Sequence, residues 1–329
     1  MKQRTKHRLG LLRNCLIFLA VILGIWFLFQ AKNPNSAYGL RERIFGNRRV
    51  PGLSSVTETD NPDDLFEGGA ESFRTVPVDG LMRLETEGIL YNDALFVLNR
   101  DYPEMNEAFS ERLETVDLPE YGTVTMTAGC AEHLLNLLRT AEAETGKRFS
   151  LGVSFPDDSS EPAEGAECLT VGDWSSDDHA TGLAVDLWIP DVSANRYLTS
   201  DLAEWLQSNA WRFGFVIRYP FFAAQTTGIP YQPWHIRFVG EIHAARMYAG
   251  RNTLEEYVTE VLKTKGTTTR FYSVGLTRED GLSETWIIYK QLAANGTIFL
   301  PAGLDSIEVS YDSMGQYYIV TGRLHADNG

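Results

Sequence analysis

The feature that most constrains this chain is an unbroken apolar run from Cys15 to Phe29, CLIFLAVILGIWFLF, set directly behind a basic stretch. Lys2, Arg4, Lys6, Arg8 and Arg13 precede it with no acid among them, and the polar Gln30, Lys32 and Asn33 follow. Such a run partitions into a bilayer, and its positive flank stays on the cytoplasmic side. The run is shorter than the ~20 residues of a spanning helix, but Leu11 and Leu12 on one side and Ala31 on the other extend it. No small-x-small cleavage site follows, because Phe29 stands two before Ala31 and Asn35 two before Ala37. Residues 1–31 therefore read as an uncleaved signal anchor in the cell membrane, with the rest of the chain on the extracytoplasmic side. A cleaved signal peptide is the alternative, and it leads to the same compartment.

What lies beyond the anchor is acidic. The whole chain carries a formal charge of −15, and setting aside the five basic residues of the first thirteen leaves 24 Lys and Arg against 44 Asp and Glu, a net −20. A nucleic-acid backbone repels such a surface, so nucleic acid is excluded as a partner. With 329 residues, 43% of them hydrophobic and 12% aromatic, the chain has enough apolar material for one principal domain with appendages.

Residues 32–88 mix Asn, Pro, Gly, Ser and charges without sustained periodicity and read as a flexible extracytoplasmic linker. Residues 89–264 read as the principal domain. Within it, the apolar Ala94 to Leu98 fits a buried strand. A helix is expected from about Ala128 to Thr145, with Thr127 as cap, Ala131, Leu134, Leu135 and Leu138 on one stripe, and Gly146 to end it. Residues 265–329 hold β-prone runs at Ser283–Tyr289, Thr297–Leu300, Ile307–Tyr311 and Tyr317–Val320, with Asn295 and Gly296 offering a hairpin turn. They read as a small β-rich module without visible chemistry. Outside the anchor the only cysteines are Cys130 and Cys168, which an oxidising compartment leaves either bridged or as two buried thiols.

The chemistry concentrates in SSDDHATGLAVDLW (175–188) and YQPWHIRFVG (231–240). Where thiolates are scarce, a catalytic zinc site takes three imidazole or carboxylate ligands and keeps a fourth position open. His179, Asp186 and His235 supply that set, although two imidazoles and a carboxylate also suit other divalent ions. Strand alternation puts Leu183, Val185 and Leu187 on one face and Asp186 on the other, so the carboxylate emerges from a packed strand.

Taken together, residues 175–262 resemble the VanY-type D-alanyl-D-alanine carboxypeptidases, zinc metallopeptidases that trim the terminal D-alanine from peptidoglycan stem peptides. The family's first motif, S-x-H-x-x-G-x-A-x-D, is matched by HATGLAVD from His179 to Asp186, and its second, E-P-W-H followed by Arg and Val-Gly, by QPWHIRFVG. WLQSNAWRFGFVIRYP resembles the helix and strand between the motifs, and EIHAARMYAGRNTLEEYV the closing helix. The resemblance implies an α+β domain, a small antiparallel sheet with flanking helices holding a single zinc site of His179, Asp186 and His235. It also implies peptidoglycan stem peptides ending in D-Ala as partners.

Two departures bear on activity. Family members place a general-base Glu three residues before the last His, and this chain has Gln232 there. An amide holds water by hydrogen bonds but cannot take its proton, and losing a general base costs about a hundredfold to ten-thousandfold in rate. Asp177 and Asp178 are the carboxylates nearest in sequence to a ligand. The family's Ser-Gly-Tyr-Arg-Ser, whose Arg grips the substrate carboxylate, is replaced by Ser154, Phe155, Pro156, Asp157 and Asp158. Trp234 either walls the substrate cleft or packs beneath the ligand strand. Arg218 and Arg237 are expected in structural ion pairs, and His243 in a structural role.

Overall fold

The computed structural model describes residues 18–28, 32, 34–46, 48–79, 81, 88–103, 112–152, 154–155, 178–221, 223–264, 268–278 and 280–324. Helix α1 spans 18–28 with exposed apolar side chains such as Phe18 and Phe27. Among the described residues no helix is long and apolar enough to cross a membrane. Then come helix α2 (Pro34–Phe45), strands β1 (Thr57–Thr59), β2 (Phe73–Pro77) and β3 (Ile89–Tyr91), and the hairpin of β4 (Leu113–Leu118) and β5 (Gly122–Thr127). Helix α3 (Ala128–Thr145), β6 (Ser150–Leu151), β7 (Ala184–Trp188), α4 (Asp201–Asn209), β8 (Phe215–Tyr219), α5 (Ala224–Thr227) and β9 (Gln232–Phe238) form the middle of the chain. Helices α6 (Glu241–Gly250) and α7 (Leu254–Glu256) lead to β10 (Phe271–Thr277), β11 (Ser283–Gln291), β12 (Thr297–Pro301), β13 (Leu304–Asp312) and β14 (Tyr317–Leu324).

Two sheets organise this α+β molecule. The first is the expected small antiparallel one, ordered β6-β7-β9-β8. Leu183, Val185 and Leu187 point from it into a core shared with Ala131, Leu134 and Leu138 of α3 and Leu202 and Leu206 of α4. Burying one such Leu side chain contributes about 1.5–3 kcal/mol. Helix α3 has the predicted bounds: Thr127 sits at the N-cap in extended backbone, though its hydroxyl makes no cap bond, and Gly146 closes the helix at φ 69°. Only glycine enters that left-handed region without cost. Cys130, on the buried side of α3, is a free thiol, while Cys168 lies outside the described residues.

The second sheet is six-stranded, ordered β1-β10-β11-β14-β13-β3, with β3 parallel to β13 and its other pairs antiparallel. Both its faces are covered. Ile288 and Ile319 meet Met247 of α6 and Leu254 and Val258 around α7, whereas Ile287, Tyr289 and Val320 lie with Phe66, Val76, Leu81, Ile298 and Leu300. Two buried faces explain why the middle of β11, Trp286 to Tyr289, is a continuous apolar run and not an alternation.

This arrangement corrects two expectations. The described part of residues 32–88 is not a flexible linker: β1 extends the six-stranded sheet beside β10, and β2 pairs with β12. Helix α2 docks through Asn35, whose Oδ1 accepts from the Leu198 amide at 2.9 Å, and a Cβ on Gly39 would come within 2.6 Å of Phe221. Nor is the C-terminal module a separate appendage, because β1 and β3 come from upstream of the first sheet. These strands are three to five residues long and gain their partners from more than 200 residues away. No local periodicity encodes such pairing.

Ala94–Leu98 is a third correction. The segment is buried as expected but is irregular, not a strand. Side chains satisfy its backbone instead: Leu95 N donates to Ser310 Oγ (2.8 Å), Val97 N to Ser313 Oγ (3.2 Å), and the carbonyls of Ala94 and Phe96 accept from Arg237 Nη2 (3.3 and 2.9 Å). Ala94, Phe96 and Leu98 belong to the first core, Leu95 and Val97 to the second. One segment thereby ties the two sheets together. The Asn295-Gly296 turn forms as predicted, both residues having positive φ, but β12 goes on to pair with β2.

Candidate metal centre

The predicted ligands come from three short elements. His179 lies in a one-turn 3₁₀ helix, Asp178–Thr181, closed by its own hydroxyl: Thr181 Oγ1 donates to the Asp178 carbonyl (2.7 Å) and accepts from Leu183 N (3.2 Å). The turn ends at Gly182, φ 64°, where a Cβ would fall 1.9 Å from Leu113 Cδ2, so a tight approach and a left-handed backbone both demand glycine. Asp186 projects from β7 and His235 from β9, and the two are direct cross-strand partners. Pairing of that kind brings Cβ atoms to about 4.5–5.5 Å.

The side chains converge. Asp186 Oδ1 lies 2.9 Å from His235 Nδ1 and 3.3 Å from His179 Nε2, and the imidazole rings meet edge to face at 4.4 Å. One ligand atom from each residue lies within 4.8 Å of the others, and all three residues are buried. Donors about 2.0–2.2 Å from a tetrahedral ion stand roughly 3.3–3.6 Å apart. The set therefore fits one divalent cation. Burial works against the Asp186 carboxylate, but the two imidazoles beside it hold its pKa below the usual range.

Behind His235 lies a buried charge cluster that sequence reasoning found only in part. Asp178, fully buried, places Oδ2 3.5 Å from His235 Nε2, while its Oδ1 accepts from Arg237 Nη1 and lies 3.4 Å from Arg218 Nε. Arg218 grips Glu255 in bidentate fashion at 2.9 and 2.7 Å, and Glu255 also accepts from Asn99 Nδ2 at 3.1 Å. Against the penalty of burial, Arg237 and Arg218 hold the Asp178 carboxyl well below the usual carboxylate range. The structural reading of both arginines matches this geometry. Glu255 was missed because nothing in TLEEYV sets it apart from its neighbour Glu256.

Asp178 stood among the candidates to replace the missing base, but its carboxylate is engaged behind His235, on Nε2, the ring nitrogen remote from Asp186. Asp177, Pro156, Asp157 and Asp158 lie outside the described residues. Ser154 and Phe155 run beside β5, Ser154 Oγ accepting from Thr125 N and Phe155 N donating to the Thr125 carbonyl, each at 3.3 Å.

Gln232 opens β9. The ladder pairs Ile217 with Ile236 and then Tyr219 with Gln232, so β9 spends three residues, Pro233 to His235, where β8 spends one. A bulge of this kind re-aims side chains and breaks strict alternation, and Pro233 has no amide to offer the ladder. Gln232 is half-buried, and its amide makes no hydrogen bond among the described residues. Trp234 stacks on Trp188 at 4.9 Å and meets Tyr197 edge-on at 5.9 Å. His243 spends both ring nitrogens on Tyr257 Oη (2.9 Å) and Thr321 Oγ1 (2.8 Å), tying α6 to β14.

Comparison with known proteins gives a consistent picture. Residues 171–241 match the family described as VanY: D-alanyl-D-alanine carboxypeptidase. A D-alanyl-D-alanine carboxypeptidase of Enterococcus faecium is 28% identical over 257 residues, 74% of this chain and 78% of that protein. One from Enterococcus faecalis is 37% identical over 81 residues, 25% of this chain and 29% of that protein. Among solved structures, the vancomycin resistance D,D-dipeptidase VanXYg, in complex with a D-Ala-D-Ala phosphinate analogue, superposes with a TM-score of 0.56 at 18% identity. That likeness, covering 76% of this chain and 98% of the other, concerns the fold.

Proposed function

From its similarity to the VanY-type D-alanyl-D-alanine carboxypeptidases, we propose that this chain is a member of that family, a zinc protein of the cell wall that acts on peptidoglycan stem peptides ending in D-Ala, with hydrolysis slowed by Gln232. The convergence of His179, Asp186 and His235 supports it most: their donor atoms lie within 4.8 Å of one another in a buried site. A zinc ion held there supplies Lewis-acid polarisation of the scissile carbonyl and of water. The Gln232 amide orients a water through its oxygen but accepts no proton from it. The exposed apolar helix α1, continuing the run behind the basic N-terminus, supports a single-pass anchor with the site on the extracytoplasmic side.

A second reading has its own support. Gln232 lacks a titratable carboxylate, and Asp178 is committed to Arg237, Arg218 and His235, which favours a silent relative that binds stem peptides or scaffolds the wall. D-Ala release from a pentapeptide ending in D-Ala-D-Ala, measured on the purified protein and on Gln232→Glu, separates the two. We expect slow turnover by the parent and an increase of about 10²–10⁴ in the variant. Activity confined to the variant identifies the silent relative. Neither turnover nor peptide binding in either protein would overturn both readings.

A further inference from the structure

We infer that Asp178 is a positioning residue that fixes the tautomer and orientation of His235 at the metal centre, and that Arg218, Arg237 and Glu255 exist to aim it. The inference rests on the metal-site reading proposed above. His235 divides its ring nitrogens between two carboxylates, Nδ1 lying 2.9 Å from Asp186 and Nε2 3.5 Å from Asp178. An ionised carboxylate only accepts hydrogen bonds. By itself Asp186 would take the proton of Nδ1, but a cation held by Asp186 and His235 would displace it, and Asp178 would then accept a hydrogen bond from the proton left on Nε2 and so fix the ring's tautomer. Groups of this kind behind a metal-bound histidine set ring orientation and ligand basicity.

The oxygens of Asp178 are divided in the same way. Oδ1 meets both arginines, and Oδ2 is left for His235. Arg237 is held in turn by the carbonyls of Ala94 and Phe96, and Arg218 by Glu255. Two buried cations face two buried anions, so the cluster is neutral, but apolar residues of similar volume commonly pack as well as a buried ion network. What a hydrophobic replacement cannot do is accept a hydrogen bond from an imidazole N–H. That requirement accounts for a fully buried Asp178 one residue before a ligand, where packing alone would favour an apolar side chain.

The test is metal binding by the full-length protein and by Asp178→Asn, titrated with Co(II) and Zn(II) against a competing chelator, together with nitrogen NMR of ¹⁵N-histidine-labelled, zinc-loaded parent. We expect the variant to bind about 10- to 100-fold more weakly, with an altered visible Co(II) spectrum. In the parent, NMR should show His235 with metal on Nδ1 and a proton on Nε2. This readout needs no variant and decides the matter if Asp178→Asn fails to fold. Unchanged affinity and spectrum in a folded variant, or metal found on Nε2, would overturn the role of Asp178 and leave the metal centre intact. A parent that binds neither ion would instead overturn the metal-site reading itself.

Discussion

The two sheets are joined through Ala94–Leu98, so truncating one residue on each side of that segment should destabilise both sheets together. Phe96 is 2% exposed in the first core and Leu95 is 1% exposed in the second. Truncating a buried Phe to Ala costs about 3–5 kcal/mol and a buried Leu about 2–5 kcal/mol. For a cooperative unit of this size each kcal/mol lowers Tm by about 2–4 °C, so Phe96→Ala should lower it by roughly 6–20 °C and Leu95→Ala by roughly 4–20 °C. The segment's backbone bonds to Arg237, Ser310 and Ser313 span both sheets, so neither sheet should loosen alone. Hydrogen exchange read by mass spectrometry separates peptides of β7 and β9 from those of β10 to β14. We expect either variant to raise exchange in both sets by a similar free energy. Loosening of β7 and β9 in Phe96→Ala with β10 to β14 unchanged would refute the joint unit and restore an independent C-terminal module.

Two further outcomes follow from particular contacts. Burial, with Arg246 alongside, pushes the His243 imidazole down to about 3; the unfolded chain, with an ordinary value near ~6.5, takes up that proton first. Stability from this residue is therefore complete above about pH 7 and lost as pH falls toward 3, at about 1.4 kcal/mol per pH unit. Urea midpoints between pH 7 and 4.5 should show that slope in the parent and a flatter one in His243→Gln, and parallel profiles would refute it. Gly39→Ala places a methyl 2.6 Å from Phe221, an overpacking that costs about 1–3 kcal/mol. It should speed proteolysis within 34–46 while leaving β7 to β9 protected, and an unchanged cleavage rate would show that α2 does not dock there.

How much of this was legible in the sequence depended on whether the signal was local. Helix α3 could be read to its ends, because its apolar stripe and Gly146 are set by neighbours within one turn. The alternation around Asp186 was equally legible, since Leu183, Val185 and Leu187 had to face one way for Asp186 to face the other. Strands β1 and β2 were illegible: their few residues are mostly polar or exposed, and their partners, β10 and β12, lie far along the chain. Ala94–Leu98 misled for the opposite reason, since its apolar content reports burial whether backbone partners come from a ladder or from Ser310, Ser313 and Arg237. At the site, His179, Asp186 and His235 were picked out by the two VanY-like motifs that carry them, since H-x6-D spacing alone is common. The aiming of Asp178 by Arg218, Arg237 and Glu255 depends on charges meeting in three dimensions, and no pattern within DDHATGLAVD announces it.

The most direct test of the account is the metal content of the protein purified without chelator, measured by elemental analysis beside Asp186→Ala and His235→Ala. The three donors of His179, Asp186 and His235 predict about one divalent ion per chain in the parent, with zinc the principal metal, and almost none in either variant. A folded parent without metal, or an Asp186→Ala protein that retains the full complement, would contradict it.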